Sequence, residues 1–385
     1  MREPNAIARL RQEWSGLQEQ CPDLTPYQTW EWNDTWWRHY GARKRPCVLL
    51  FYAGRGADSP LVGIVPLYVS WHLNMPLRRL AWIGTGQSDY LGPLTLPEYG
   101  EAVATAFLDY LQNKLEGWEM ADLQQIHADS PLMAHTPCPW PDRPTEGQSI
   151  QPMEPCPYLT LPTEWDELTK KLGKKTRSNL GYYERLLQKT FPDAHSFLAD
   201  KETLEAGMTA LFELHQKRWN ARWLPGVLGS NRVQTFHREI ATRFLEKGWL
   251  RLHLIEIEGT IRSVLYCFAT GGRTFYYLGG FAPELSKYSL GTLLTAHAIQ
   301  KAIAEGHTEF DFLRGSEPYK YKWMPEERIN QRFLLLRSRR GLGELPGRAG
   351  FALTRVEKYV VHRAKAFAEQ QGRKEREPKK VTEQP

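Results

Sequence analysis

The segment GHTEFDFLRGSEPYKYKW, residues 306–323, decides the fold of this chain. Phe310, Phe312 and Leu313 predict a buried strand that stops at Gly315, and the next seven or so residues crowd tyrosine, lysine and carboxylate side chains together. Just upstream, SKYSLGTLL (residues 286–294) predicts a small-residue turn that opens a helix. Because free N–H groups at a helix N-terminus bind phosphate, this order predicts a site for a phosphorylated acyl carrier.

Composition places the chain among globular proteins. It has 385 residues, 41% of them hydrophobic, which is enough for two domains. We expect a cytoplasmic protein, because no apolar run approaches about 20 residues and the N-terminus lacks the apolar core of a secretory signal. The cysteines are odd in number, have no zinc-type spacing and predict free thiols in a reduced compartment: Cys21, Cys47, Cys138, Cys156 and Cys267. The net charge of +6 favours anionic partners such as CoA, nucleotide-linked substrates or a membrane surface.

The same order of elements occurs twice along the chain. Three strands, a turn, a helix and a further strand are predicted in the first half over residues 47–52, 61–69, 79–84, 103–115 (the helix) and 121–126. The second half repeats this order over residues 250–257, 261–268, 274–280 and 289–304 (the helix), followed by the strand at residues 310–313 and a closing strand at 330–337.

The segments outside the two repeats predict connectors. A Pro-rich stretch from Ser130 to Pro155 predicts a loop that ends the first domain, and residues 165–189 predict a basic helix with Thr163 as its N-cap. A second connector helix is predicted over residues 204–218. Residues 351–367 predict an amphipathic helix ahead of a disordered basic tail. The predicted division is therefore 1–155, 156–235, 236–340 and 341–385.

Several phrases carry a family resemblance. They are TWEW at residues 29–32, WWR at 36–38, KKTRSNL at 174–180, and LRGSEPYK at 313–320 with Trp323. Over roughly residues 25–340 the chain resembles acyltransferases of the GNAT superfamily, specifically the CelD/BcsL-like branch related to FemAB peptidyltransferases. The resemblance implies an α/β (α+β) fold of two tandem GNAT-like domains. Each would be a mixed, largely antiparallel sheet flanked by helices, and a helical connector would join them. The second domain would be catalytic, and the first a degenerate scaffold that frames the acceptor cleft.

The predicted carrier site is the start of the second-half helix. Ser289, Leu290, Gly291 and Thr292 would offer backbone N–H groups to a pyrophosphate, and Gly291 would allow close approach. The alternative is an ordinary core helix capped by Ser289. This turn has one glycine and begins with Ser286, so it departs from the glycine-rich loop of acetyl-CoA enzymes.

The predicted catalytic residues follow the second-half strand. Asp311 should point away from Phe310 and Phe312 by the two-residue period of a strand, and its carboxylate could accept the proton of an attacking amine. The alternative is a structural ion pair between Asp311 and Arg314. The family resemblance implies that Lys320 holds phosphate or the tetrahedral oxyanion and that Tyr319 protonates the leaving group, where FemAB-like enzymes carry a Phe-Lys pair. A solvated basic turn at Lys320 and Lys322 is the alternative.

We expect the acceptor to contact Arg314, Glu317, Trp219 and Arg222. No histidine pair has metal-ligand spacing, so we expect no metal site. We also expect no permanently bound cofactor, since acyl-CoA, acetyl-CoA in the simplest case, would be a co-substrate.

The leading hypothesis is an acyl-CoA-dependent N-acyltransferase acting on an amine of a sugar, amino acid or cell-envelope precursor, with a link to exopolysaccharide or cellulose biosynthesis implied by the resemblance. One alternative is a FemAB-like aminoacyl-tRNA-dependent peptidyltransferase, in which the basic stretch 170–177 tracks a phosphate backbone. Another is a non-catalytic protein that docks an envelope synthase through residues 351–367. This segment is predicted to contact either the second domain or an anionic membrane face. Hydrolase, nucleotide-triphosphatase and dehydrogenase motifs are missing from the sequence.

Overall fold

Residues 3, 5–56, 58–72, 75–135, 148–220 and 228–337 are described by the computed structural model. The predicted amphipathic segment 351–367 lies outside these residues. No helix in the described part of the chain has the length and apolar character needed to cross a bilayer.

Twelve strands lie within the described residues. They are β1 (Arg45–Tyr52), β2 (Leu61–His72), β3 (Met75–Trp82), β4 (Leu94–Thr95), β5 (Met120–Ile126), β6 (Gln148–Thr160), β7 (His195–Leu198), β8 (Leu250–Ile257), β9 (Thr260–Thr270), β10 (Arg273–Phe281), β11 (Glu309–Asp311) and β12 (Glu326–Leu336).

Eleven α-helices accompany these strands in the described chain. They are α1 (Ala6–Arg9), α2 (Arg11–Gln18), α3 (Trp30–Tyr40), α4 (Gly100–Asn113), α5 (Pro131–His135), α6 (Trp165–Lys171), α7 (Lys174–Thr190), α8 (Leu204–Asn220), α9 (Asn231–Glu246), α10 (Leu290–Ala304) and α11 (Pro318–Tyr321). Short 3₁₀ turns at Pro26–Gln28, Pro97–Tyr99 and Pro283–Tyr288 each begin with a proline, whose fixed φ suits a first helical position.

All strands join one mixed sheet. Its order is β1-β2-β3-β5-β12-β6-β11-β10-β9-β8-β7, and β4 pairs with β2. The predicted fold class, a mixed sheet flanked by helices in two GNAT-like units, is confirmed. The halves exchange strands at the centre, because β12, which follows β11, pairs with β5 of the first half, and β6 pairs with β11 of the second.

Each half contains one pair of parallel strands that separates after a short contact. β3 pairs with β5 only at Arg79–Met120 and Leu80–Ala121, and β10 pairs with β11 only from Arg273 to Phe275. The strands then diverge, and a helix connects them in each half: α4 in the first and α10 in the second. This opening between parallel strands places the polar exit of β11 between the halves.

Two sequence predictions for the connecting region were wrong. Residues 148–155 are not loop: they begin β6, a central strand despite Pro152, Pro155 and Pro157. The prolines still contribute carbonyl groups, since Pro155 accepts from Gly315 N–H (2.8 Å) and Pro157 from Phe312 N–H (2.9 Å). The predicted helix 165–189 is also divided into α6 and α7.

Candidate active site

The exit of β11 places Asp311 between the two halves of the molecule. Its side chain is fully buried and, as strand alternation predicts, Phe310 and Phe312 instead pack in the core around α10. One carboxylate oxygen, Oδ2, accepts a 2.7 Å hydrogen bond from the Tyr90 hydroxyl of the first half. The other, Oδ1, accepts from the Leu313 N–H at 2.6 Å. The carboxylate is therefore held from both halves, and the alternative of an ion pair with Arg314 is not what the structure shows.

Burial raises the pKa of Asp311 to about 7. The nearby Arg328 guanidinium, whose Nη1 lies 4.0 Å from Asp311 Oδ2, and the Tyr90 hydrogen bond act in the opposite direction and favour the ionised form. A general base works best when its pKa lies near the operating pH. The environment of Asp311 thus gives it the proton affinity of a general base.

A cleft of about 600 Å³ opens beside this carboxylate. Tyr90 and Arg328 both line the cleft and both reach Asp311. The rest of the wall mixes charged, aromatic and small polar side chains, among them Asp23, Thr25, Gln28, His127, Asp129, Tyr158, Arg273 and Glu309. The first and second halves each supply part of this wall, so the cleft exists only where they meet.

Arg328 is fixed by its neighbours. It pairs with Glu309, donates to His127 Nε2 (3.1 Å) and lies 3.7 Å from the centre of the Tyr158 ring. Burial, and next the Arg328 charge, lower the pKa of His127 to about 4, so its imidazole is neutral near pH 7 and can accept this hydrogen bond. A fixed guanidinium beside Asp311 favours the ionised carboxylate.

Lys320 lies under the turn that follows Asp311. Its side chain is only 3% exposed, and Nζ donates to the carbonyls of Leu313 (3.1 Å), Arg314 (2.9 Å) and Gly315 (3.2 Å). Nζ also lies 2.9 Å from the carboxylate of Glu317. Leu313 has a φ of 56°, an uncommon conformation for leucine. The hydrogen bonds from Lys320 stabilise this strained turn. A role for Lys320 in holding phosphate or an oxyanion stays a prediction.

The other predicted residues of this segment are also engaged. Arg314 Nε lies 3.1 Å from the carboxylate of Asp89, a buried residue from the first half. The Tyr319 ring is half-buried with its centre 5.9 Å from that of Tyr276, and Glu317 is exposed apart from its contact with Lys320. The roles assigned to Arg314, Glu317 and Tyr319 stay predictions.

At the start of α10, two of the four predicted N–H donors, those of Ser289 and Thr292, already have backbone acceptors, and Ser289 N–H donates to the Ser286 carbonyl at 3.1 Å. Ser289 has a left-handed φ of 52°, and its side chain does not cap the helix but lies 3.1 Å from the Thr292 hydroxyl. The Ser289 carbonyl accepts from the N–H of Thr292 (2.8 Å) and Leu293 (3.2 Å). The N–H groups of Leu290 and Gly291 precede this first bond, so the helix itself supplies them no acceptor. A Cβ at Gly291 would lie 3.2 Å from the Phe281 ring.

The structure does not describe the side chains of two residues predicted to contact the acceptor, Trp219 and Arg222. Trp219 belongs to α8, but its side chain lies outside the described residues, as does the whole of Arg222. Conversely, sequence reasoning did not select Tyr90, Asp89 or Arg328. The available signal was weak: Asp89 and Tyr90 interrupt a glycine-rich loop between a predicted strand and helix. Among the residues that the structure describes, no three His, Cys, Asp or Glu side chains are grouped to hold a metal ion.

The chain is similar to known proteins in part of its sequence and in its fold. Residues 174–321 match a family model described as an acetyltransferase (GNAT) domain. A search of curated protein sequences found no match. The crystal structure of FemX is similar with a TM-score of 0.60 and 13% identity, over 85% of this chain and 96% of FemX.

Two further structures share the fold. One is the C-terminal domain (DUF2156) of a putative lysylphosphatidylglycerol synthetase from Agrobacterium fabrum, with a TM-score of 0.51 and 11% identity over 91% of this chain and 95% of that one. The other is L-PGS from Bacillus licheniformis, with a TM-score of 0.50 and 14% identity over 84% and 95%. At such identities the likeness establishes the fold and leaves the substrate to be argued from the site.

Proposed function

We propose that this protein is an N-acyltransferase that takes its acyl group from acyl-CoA, since residues 174–321 match a family model described as an acetyltransferase (GNAT) domain and the fold is similar to that of FemX. The acceptor is an amine of a sugar, an amino acid or a cell-envelope or exopolysaccharide precursor. The second half carries the chemistry, and the first half completes the acceptor cleft. A place in the CelD/BcsL-like branch is part of this proposal.

The observation that carries the proposal is the Asp311 carboxyl group beside the cleft. Its pKa of about 7 and its hydrogen bond to Tyr90, which borders the cleft, provide a proton acceptor for an amine held there. An ammonium group is no nucleophile, so acyl transfer to an amine requires such a base. Asp311 is itself fully buried, and Tyr90 is the group through which the proton reaches it.

In the proposed reaction a proton moves from the acceptor amine to Asp311. The acceptor nitrogen attacks the thioester carbonyl carbon and forms the new carbon–nitrogen bond. Its proton passes to the Tyr90 oxygen while Tyr90 gives its own proton to Asp311 Oδ2, 2.7 Å away. The carbon–sulfur bond breaks, CoA leaves as a thiolate that takes up a proton from water, and Asp311 returns its proton to water. Holding amine and thioester together in the cleft supplies much of the rate enhancement.

The donor site of this proposal lies at the other end of β10. The N–H groups of Leu290 and Gly291 bind the pyrophosphate, as helix N-termini do. From Phe281, where β10 ends beside Gly291, to Phe275, which pairs with Asp311, the strand runs six residues, roughly 20 Å. An extended pantetheine arm spans a distance of this order, so the diphosphate and the base can serve one bound donor.

A second candidate is transfer from an aminoacyl-tRNA. The observation that favours it is a row of exposed cations at residues 170–177, which could follow a phosphate backbone. The name of one neighbour, a putative lysylphosphatidylglycerol synthetase, supports a cell-envelope acceptor under either donor.

Thermal melting in the presence of each donor tests the proposal. Acetyl-CoA or a longer acyl-CoA should raise the melting temperature of the full-length protein by linkage. Stabilisation by tRNA alone would favour the second candidate. Stabilisation by neither would favour the third hypothesis, a binding protein without catalytic activity.

Turnover of the Asp311→Asn variant tests the base directly. We expect a fall of about 10²–10⁴ in kcat with donor affinity nearly intact, because the amide cannot accept the proton. The matched control is Asp109→Asn on the exposed face of α4, which should leave turnover unchanged. Full turnover per folded molecule in Asp311→Asn would make Asp311 a structural residue.

A further inference from the structure

The cleft between the halves contains a cation that has no carboxylate partner. Arg273, the half-buried first residue of β10, lines this cleft, as does Arg328. The Arg328 guanidinium pairs with Glu309. Arg273 forms no ion pair with any residue that the structure describes. Its charge is therefore available to a molecule that enters the cleft.

The guanidinium group of Arg273 is held in position while most of its hydrogen-bond donors stay unused. Nη2 donates to the Asp23 carbonyl at 2.7 Å, and the guanidinium carbon lies 5.3 Å from the centre of the Phe275 ring. Nε is buried without an acceptor, and Nη1 donates to no residue of the described chain. A positioned guanidinium with unused N–H groups is a strong binder of carboxylate and phosphate groups.

Arg273 also lies on the strand next to the proposed base. In the parallel pairing of β10 with β11, Phe275 is the partner of Asp311. Arg273 precedes Phe275 by two residues, a distance of roughly 7 Å along a strand. Tyr90, which donates to Asp311, lines the same cleft as Arg273. One small molecule in the cleft can therefore present an amine to Tyr90 and an anionic group to Arg273.

The acidic residues of the cleft leave this cation unneutralised. Glu309 is engaged by Arg328. Asp129 and Asp23 are exposed, and the Asp129 side chain is 89% accessible to solvent. Exposed carboxylates are hydrated and screened by salt, so they attract or repel a bound group only weakly.

We propose that the acceptor is an anionic amine, whose carboxylate or phosphate group binds Arg273 while its amine lies at Tyr90. This inference rests on the proposed acyltransferase function. It narrows the acceptor from any amine to one that also carries an anionic group, as amino acids and amino-sugar phosphates do. A neutral amino sugar lacks the group that Arg273 binds.

Matched pairs of acceptors test this inference with the full-length protein and acetyl-CoA. The pairs are L-alanine with L-alaninamide, γ-aminobutyrate with γ-aminobutyramide, and glucosamine-6-phosphate with glucosamine. In at least one pair the anionic member should have a kcat/KM about tenfold higher, because only that member forms charge-assisted hydrogen bonds with Arg273. A preference in either of the first two pairs identifies a carboxylate, and a preference in the third identifies a phosphate.

Substitution of Arg273 is the second test. Arg273→Met should lower kcat/KM about tenfold for the anionic member and leave the neutral member unchanged. Arg273→Lys, which keeps the charge, should retain part of the preference. The control is Arg45→Met, because Arg45 is likewise the first residue of a strand, is exposed and does not line the cleft. That variant should keep the full preference.

The outcomes separate this inference from the proposed function. If acetyl transfer occurs but no pair shows the preference, or if the preference survives in Arg273→Met, the anion site is overturned and the acyltransferase stands. If none of the acceptors is acetylated, the proposed function fails, and calorimetry with the three anionic compounds decides the site. Binding that is lost in Arg273→Met and kept in Arg45→Met supports the site. Absence of binding, or binding that Arg273→Met keeps, overturns it.

Discussion

The two halves of the molecule carry different side chains at the same backbone position. In both, a residue with left-handed φ lies near the end of the second strand of the parallel pair: Gln125 (56°), the last but one residue of β5, and Leu313 (56°), two residues after β11. Two residues before it stands Leu123 in one half and Asp311 in the other, both fully buried. One half thus buries an apolar side chain where the other buries a carboxylate.

The carbonyl of the left-handed residue also has a different hydrogen-bond donor in each half. In the first half the Gln125 carbonyl accepts from the Leu91 N–H at 2.7 Å, and in the second the Leu313 carbonyl accepts from Lys320 Nζ at 3.1 Å. A backbone N–H donates to this carbonyl in the first half and a buried ammonium group donates to it in the second, and only the second half has a carboxylate two residues before the left-handed residue.

The largest expected effect comes from placing a carboxylate in the first half. Leu123→Asp should lower the free energy of unfolding by about 5 kcal/mol, because it removes a core side chain and buries a charge with no prepared partner. Asp311→Leu should cost at least about 2 kcal/mol less, since it removes a charge already held in an unfavourable place. Urea unfolding measures both. Equal losses would show that the Asp311 carboxylate is not held at a cost in stability.

Removing the buried ammonium should have the next largest effect. Lys320→Met leaves three carbonyl groups without their donor, and we expect a loss of about 3 kcal/mol in unfolding free energy together with reduced turnover. Lys322→Met, at an exposed neighbour, is the control. Unchanged stability with lost turnover would instead assign Lys320 to the donor, as the resemblance to FemAB-like enzymes implies.

The raised pKa of Asp311 predicts a pH dependence that the first half cannot show. Turnover should rise about tenfold per pH unit up to a limb near pH 7, as the carboxylate becomes ionised. Between about pH 4 and pH 7 the folded protein holds a proton that the unfolded chain has released, so this group's contribution to stability falls as pH rises. The stability of Asp311→Asn relative to the wild type should therefore improve from pH 5 to pH 8. A pH-independent difference would contradict this.

The smallest effect is expected from the contact that joins the halves. Tyr90→Phe removes the hydroxyl that carries the proton, and we expect turnover to fall about tenfold with a stability loss of about 1 kcal/mol. Because the Tyr90 hydrogen bond favours ionised Asp311, the limb should also move to higher pH. Tyr52→Phe, at an exposed tyrosine of β1, should change neither. A limb that does not move in Tyr90→Phe would remove Tyr90 from the proton path.

Local patterns predicted the parts of this structure that local physics decides. The alternation in EFDFL correctly predicted that Asp311 points away from its phenylalanine neighbours. Helical spacing predicted the bounds of α10 to within a residue. The contact of Asp311 with Tyr90 joins residues 221 positions apart, so no local pattern could indicate it. β6 was missed because its prolines argue against a central strand, and only the paired structure shows them contributing carbonyls.

The exchange of β6 and β12 between the halves has a consequence for synthesis on the ribosome. The first half exposes the open edge of β5 until its partner β12, which pairs Gln331 with Ile126, has emerged from the exit tunnel. An unpaired strand edge is a template for aggregation, and translation adds only about 5–20 residues per second. The nascent chain thus carries this edge uncovered for roughly ten seconds or more before β12 can pair with it.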